Sequence, residues 1–479
     1  MKLFLNISLL FIGISPLLML SNCKKAQLLT DNSAKLEFSV DTVLFDTVFT
    51  TIGSTTKYFK IYNNNSGKLI VSDIWLAGGT QSQFRINVDG DAGVSFSELE
   101  IEANDSLFVF VEVTVDPNNA NNPLVVEDSI MFLTNGNEQR VLLNAWGQDA
   151  YFHVNEIVEG TWANDKPHVI YGTAAVGYPQ LYSNLPQTIP ADSNLTLTIP
   201  AGTKVHGHNG SVLLVYKSSL IVNGTVGNPV EFSQDRTADY LLYPADSVAG
   251  QWRGIYFIEP LTSSIDYAEI KNAVIGIQID TAGNGTTVNL NSVKIDNSLF
   301  AGILTQGANV AAVNCLFGNS AQYSAVISIG GSVSFDHCTF GNYWNGTRNS
   351  GLFAFSDYYE SGNTIQYRPF TAANFTNSII YGNNDNEFVL DTLDRSVTGS
   401  APVFNFANCL IKTDLSIANA NFFSNCITNS DPLFVDPYVW DYHVPSNSSA
   451  VGKAFGSTTG NDLDGNGRFG NTIGCYEYQ

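Results

Sequence analysis

Asn314-Cys315-Leu316-Phe317-Gly318-Asn319 is followed shortly by His337-Cys338-Thr339-Phe340-Gly341-Asn342. The two hexads carry cysteine, phenylalanine, glycine and a closing asparagine in the same order. Working outward, Asn291-Ser292-Val293-Lys294-Ile295-Asp296-Asn297 precedes them, and Ile270-Lys271-Asn272 reads as an earlier copy. Asn377-Ser378-Ile379-Ile380-Tyr381-Gly382-Asn383 and Asn408-Cys409-Leu410-Ile411 continue the series. The closing asparagines at 272, 297, 319 and 342 lie 25, 22 and 23 residues apart, and the next follows after 41. Such a period, with short strands and Asn or Gly turns, predicts a parallel β-helix of about three strands per coil. The wide gap predicts one coil with a long loop, Trp344 to Arg368.

No single coil buries its own apolar face, so stacking must do it. The turn asparagines suit the left-handed backbone and are expected to stack as hydrogen-bonded ladders. Cys315, Cys338 and Cys409 take one repeat position, with Ser292 and Ser378 as alternates. That pattern predicts a ladder of small buried residues, with cysteine acting as a small apolar side chain. Five cysteines besides Cys23 are an odd number, and none sits in a CxxC or other metal-ligand spacing. No metal site is therefore expected.

Both ends of this region resemble the bacterial right-handed parallel β-helix repeat family. Near the start, Leu195-Thr196-Leu197-Thr198-Ile199-Pro200-Ala201-Gly202-Thr203 matches the family's opening coil. Leu220-Ile221-Val222-Asn223-Gly224-Thr225 and Gly250-Gln251-Trp252-Arg253-Gly254-Ile255 match its next rungs. Asp431-Pro432-Leu433-Phe434-Val435-Asp436-Pro437, Asp441-Tyr442-His443-Val444 and Ile473-Gly474-Cys475-Tyr476-Glu477-Tyr478 match its closing segment. The resemblance covers roughly 190–479. It implies a fold, while the family's functions range over polysaccharide lyases, glycosidases, epimerases and non-enzymatic surface proteins.

Residues 34–150 read differently. Leu36-Glu37-Phe38-Ser39-Val40, Lys57-Tyr58-Phe59-Lys60-Ile61-Tyr62 and Leu107-Phe108-Val109-Phe110-Val111-Glu112-Val113 alternate apolar and polar residues. Period two with β-branched and aromatic residues predicts half-buried strands, and seven or so of them predict a β-sandwich. Asn63-Asn64-Asn65-Ser66-Gly67 and Asp89-Gly90-Asp91 supply the turns. This stretch resembles the immunoglobulin-like family related to bacterial cell-surface and spindle-associated sandwich domains. The resemblance carries no catalytic residues and implies a spacer or docking role. Trp75 and Trp146 are expected to anchor its core.

The N-terminus sets the compartment. Met1-Lys2 precedes an apolar run to Leu20, and Leu20-Ser21-Asn22-Cys23 resembles a bacterial lipobox. The expectation is a signal peptide over 1–22, a lipid-modified Cys23, and a tether over 23–33. Two acyl chains would hold the protein on a membrane. The expected place is the outer membrane, facing the exterior. The two all-β domains then occupy 34–150 and 151–479.

Asp plus Glu number 44 against 22 Lys plus Arg, a net charge of -22. Such a chain repels nucleic acid, which is excluded as a partner. The partners expected are the membrane, through the anchor, and a polysaccharide or a surface protein. The search for chemistry returns few candidates. Lys204, His206 and His208 share one strand face by period two. Asp235, Arg236 and Asp246 lie in a loop, where solvated charges are equally at home. Tyr240, Tyr243, Trp252, Arg253 and Tyr256 are candidates for an aromatic ledge that stacks on sugar rings, with Trp252 itself expected to pack within its rung. Tyr358, Tyr359 and Tyr367, in the long loop, are candidate exposed platforms. Asp462-Leu463-Asp464-Gly465-Asn466-Gly467 resembles the start of a calcium loop, yet its twelfth position is Ile473 where a bidentate Glu is required. No cofactor is expected, with calcium the one weak alternative. The leading expectation is a non-catalytic surface lipoprotein that binds glycan or a partner protein. The alternative is a lyase or glycoside hydrolase using His206, His208, Asp235 and Arg236.

Overall fold

The computed structural model describes residues 27–478, apart from 50–52, 55, 117–123, 179–192, 237–246, 282–284, 363, 395–397, 400 and 457–459. Of residues 46, 47 and 124 only the backbone is described. The expected signal peptide, Cys23, Tyr240, Tyr243 and Asp246 lie outside the described residues. Among the described residues no helix is long and apolar enough to cross a membrane. The chain divides into two compact units, Met1–Gln148 and Asp149–Gln479.

Among its described residues the first unit is a sandwich of two five-stranded sheets, ten strands where the pattern predicts seven or so. One sheet runs Glu37–Phe38, Lys57–Asn63, Asp105–Val113, Phe84–Val88, Asp91–Gly93. The other runs Thr42–Phe49, Asn137–Gln148, Leu124–Thr134, Leu69–Leu76, Ser95–Ile101. Alternation turns Phe45, Phe59, Phe84, Val109, Val111, Phe132 and Leu143 into the shared core. The two tryptophans depart from expectation. Trp146 is 38% exposed and Trp75 is half-buried, because both fall on outward positions of the second sheet.

The second unit is a β-helix whose strands pair in parallel with the strand one coil on. Each coil contributes to three faces. Val212–Tyr216, Gly254–Ile258 and Ile275–Asp280 belong to the first. Ser219–Asn223, Ser263–Asp266 and Val288–Asn291 belong to the second. Lys204–Gly207, Val230–Gln234, Ala268–Lys271, Lys294–Asp296, Leu316–Phe317, Thr339–Asn342 and Ile379–Gly382 follow one another on the third. Inward side chains stack coil on coil. Phe335, Phe375, Phe406 and Phe423 form one such ladder, with centroids 5.4, 4.4 and 5.5 Å apart.

Turn chemistry follows the asparagines. Tyr267, Ser292, Asn314, His337, Asn377, Asn408 and Asn425 hold one corner at φ from 46 to 55°. At another corner the Asn272 amide donates to Gln234 at 2.7 Å, and that of Asn297 to Asn272 at 2.6 Å. The ladder ends there, since Asn319 donates instead to the Pro437 carbonyl.

The cysteine ladder exists with a corrected register. Strand pairing aligns Val293, Cys315, Cys338, Ser378, Cys409 and Cys426. Ser292 belongs to the adjoining left-handed corner, one position away. The described cysteines are all free thiols, and Cys315, Cys338, Cys409 and Cys475 are buried. Cys426 is half-buried, and its hydrogen bond with Cys409 draws its thiol pKa down. A thiol reagent is expected to label Cys426 first and the other four only on unfolding, as peptide mass spectrometry would read. Labelling of Cys315 or Cys338 in the native protein contradicts the ladder.

The long coil insertion contains an antiparallel hairpin, Tyr358–Ser361 with Thr364–Tyr367. Its base is fixed by Arg348 and Glu387, paired at 2.6 and 3.0 Å and shut off from solvent.

The segment expected to close the helix runs along its side. The described residues of 430–478 fold back over the outward surface of the third face, packing Tyr442, Leu463, Cys475 and Ile473 on Leu316, Ile379 and Leu410. The Cys475 amide donates to Thr339, and that of Gly474 to the Asn377 carbonyl.

Candidate functional site

The fold-back covers the third face from Leu316 onward, together with Asp296 on the strand before it. The four earlier strands keep their outward side chains, which form two rows. Lys204, Glu231, Glu269 and Lys294 make one. His206, Ser233, Lys271 and Asp296 make the other. Strands about 4.8 Å apart give a strip about 14 Å long. It ends against Tyr442 of the returning segment.

His208 and Asp235 meet at the far end. Nδ1 of His208 donates to Asp235 Oδ2 at 2.7 Å. The Tyr171 ring stacks on His208 with centroids 4.1 Å apart, 15° from parallel. Burial first, then the Asp235 charge, pushes the Tyr171 hydroxyl up to about 12. His206 points the same way. Its Nδ1 lies 3.0 Å from the Gln234 carbonyl and 3.1 Å from Ser233 Oγ, so Nδ1 carries the proton. Burial lowers its pKa, which keeps it neutral. Three candidates thus share one surface, with Arg236 next along the chain. Lys204 and Glu231 pair across 3.8 Å, and Lys271 and Glu269 across 2.9 Å.

Among the described residues the aromatic ledge does not assemble. Trp252 is 1% exposed and donates Nε1–H to the Lys271 carbonyl at 2.9 Å. It packs under Gly207, where a Cβ would stand 2.8 Å from the indole. Tyr256 lies on the first face, its hydroxyl bonded to Asp280. Arg253 is exposed beside Trp252. On the hairpin, the Tyr358 hydroxyl is held by Asp391 at 2.9 Å, Tyr359 is exposed beneath Arg368, and Tyr367 faces Tyr358 across the strands.

Near Tyr442 lies a charged nest that the sequence reading missed. Asp296 is wholly buried, with both carboxyl oxygens lacking hydrogen bonds. Burial outweighs Lys294 and Lys271 and pushes its pKa to about 6. His443 bridges Asp441 at 2.6 Å and Asp464 at 2.8 Å and stacks on Tyr476. The Asp464 bond, above all, raises its pKa. Asp462 accepts the Asp464, Asn466 and Glu477 amides at 3.1, 2.7 and 2.9 Å. The calcium-like stretch is thus a turn whose carboxylates bind amides and a histidine. Among the described residues no three His, Cys, Asp or Glu side chains converge as metal ligands do.

No known protein family matches the chain, and no curated protein does. Solved structures align over short parts. A family 123 glycoside hydrolase from Clostridium perfringens is 12% identical, with 24% of this chain and 26% of that one covered and a TM-score of 0.17. The YadV chaperone is 12% identical, covering 24% and 51%, TM-score 0.17. A PapD-like domain of human CEP192 is 10% identical, covering 27% and 94%, TM-score 0.17. The chain spans about a quarter of the hydrolase and about half of the chaperone.

Proposed function

We propose that this chain is a lipid-anchored surface protein whose β-helix binds a neutral polysaccharide along the third face without cleaving it. Cys23 is the proposed anchor, following a signal peptide over 1–22, and the outer membrane is the proposed site. The observation that supports the reading is the strip from Lys204 to Lys294. The chain has twice as many acidic as basic residues, yet Lys204, Lys271 and Lys294 interleave there with Glu231 and Glu269. Paired charges leave little net field, which suits a ligand recognised by hydrogen bonds and ring contacts. Tyr171 and His208 supply the ring surface.

The second reading, hydrolysis or elimination, is favoured by the His208–Asp235 pair. A carboxylate that fixes a histidine tautomer is how a general base is oriented. One experiment separates the two. The full-length chain, purified in detergent, is screened on a glycan array and incubated with the same polysaccharides. Binding without new reducing ends or unsaturated products is expected, with affinity reduced about tenfold by Tyr171→Ala, the loss of one ring contact and one desolvated surface. Turnover abolished by His208→Ala overturns the binding-only reading.

A further inference from the structure

The sandwich unit carries a cavity of its own. It has a volume of about 570 Å³ and opens on the outward surface of the second sheet, at Asp73, Trp75, Thr80, Val94, Ser95 and Leu133. That volume falls within the about 300–1,000 Å³ of small-ligand sites.

Local structure builds it. Strand Leu69–Leu76 has a bulge between Val71 and Asp73 against Leu124–Thr134. Burial shifts register there: Val71 faces the core, and so do Ile74 and Leu76. Asp73 and Trp75 are thereby turned outward, the re-aiming a bulge provides. Trp75 lies beside Ser95 on the neighbouring strand. The third wall is the turn holding Gly79 and Thr80. Asp128 pins that turn, accepting the Gly78 amide at 3.0 Å and the Ser82 hydroxyl. A Cβ at Gly78 would stand 2.8 Å from the Asp128 carboxylate, which would have to move aside.

The polar groups around the cavity have no work inside the protein. The Asp73, Thr80 and Ser95 side chains make no hydrogen bond or ion pair among the described residues. A carboxylate accepts only, while the hydroxyls donate or accept. Beside them lie an indole and two aliphatic side chains. A fitting ligand has several hydrogen-bond donors on one edge and an apolar face on another. It is not anionic, because Asp73 would repel it. A neutral pyranose meets all three demands: vicinal hydroxyls for Asp73, and a C–H face for Trp75.

We propose that the cavity at Trp75, Asp73, Thr80 and Ser95 is a binding site for a neutral sugar unit, distinct from the β-helix strip. The sandwich is then a second glycan contact on the same chain. Two weak sites on one chain raise avidity when a polymer reaches both.

The test is calorimetric titration of the full-length chain in detergent with cellobiose, mannobiose and N,N′-diacetylchitobiose, with digalacturonate as the anionic control. At least one neutral disaccharide is expected to bind and digalacturonate is not. Asp73→Asn is expected to lower the affinity about tenfold, the scale of one charge-assisted hydrogen bond. Trp75→Ala is expected to abolish binding and Trp75→Phe to retain part of it, which separates ring stacking from misfolding. The titrations are repeated in a Tyr171→Ala background, which removes the ring surface of the β-helix strip; there the effects of Asp73→Asn and Trp75→Ala are expected to persist, so the two sites fail independently. The proposal is overturned if no neutral disaccharide binds, if Asp73→Asn and Trp75→Ala bind as the parent does, or if a lysine-type cation occupies the cavity instead.

Discussion

Replacing Tyr442 by alanine is expected to release the returning segment from the β-helix while the coils stay stacked. Tyr442 is 1% exposed and sits across two consecutive coils. A Cβ on Gly341 would come within 2.1 Å of its ring, and one on Gly318 within 3.2 Å. The two glycines are the floor on which the ring lies. Phe434 meets the ring edge-on with centroids 4.9 Å apart, and the hydroxyl donates to Asn319. Removing so large a buried aromatic costs about 3–5 kcal/mol. That loss falls on the returning segment, because the coils beneath are held by their own parallel pairing. Cys475 gives the readout. It is fully buried and its thiol is pushed up to about 12, chiefly by burial. In Tyr442→Ala, Cys475 is expected to react with a thiol reagent while Cys315 and Cys338 stay protected. Gly341→Val is expected to do the same from the opposite side of the contact. Labelling of all three cysteines together would mean that segment and coils unfold as one.

Those glycines mark what the sequence makes legible. The β-helix can be read because each coil repeats its neighbour's demands: an inward apolar side chain, a small residue in the ladder, a left-handed corner. Gly318 and Gly341 look like turn residues in that pattern, and their second role depends on a ring more than a hundred residues away. Ser292 was placed in the ladder because Ser and Cys are alike in size, whereas Val293 holds the position. The His208–Asp235 pair could have been found. The two residues are 27 apart, as are His206 and Ser233, so one coil length superposes them. Trp75 and Trp146 were misread because buried aromatics dominate sandwich cores, and a bulge or an outward register overrides that tendency. The buried Asp296 gave no signal: its neighbours in sequence are those of an exposed strand, and only the returning segment covers it.

Asp296→Asn is expected to tighten the same docking at neutral pH. The carboxyl is buried without a hydrogen-bond partner, facing Lys271 and Glu269 on one strand, Lys294 on its own, and Tyr442 and Tyr476 on the segment above. Its pKa is about 6 when covered, against 3.8 for an ordinary aspartate carboxyl. A raised carboxyl pKa means that the covered state holds the proton more tightly than the uncovered one. Docking therefore gains nothing from ionisation. It is strongest below pH 3.8, weakens as pH rises toward 6, and carries the full penalty above that. A rise from 3.8 to about 6 corresponds to about 3 kcal/mol. Asparagine keeps the shape and cannot ionise, so the penalty is absent at every pH. Hydrogen exchange at the Gly474 amide, corrected for its intrinsic rate, follows the docking. Asp296→Asn is expected to slow it at pH 7 by up to about a hundredfold, the scale set by two pKa units, and to leave it unchanged near pH 4. His443 titrates in the same sense, since its covered form is also the better proton binder. The parent protein's slope belongs to both groups, and only its difference from Asp296→Asn belongs to Asp296. Equal protection of the two proteins at pH 7 would show that Lys294 or Lys271 neutralises the covered carboxylate, and the penalty would then not exist.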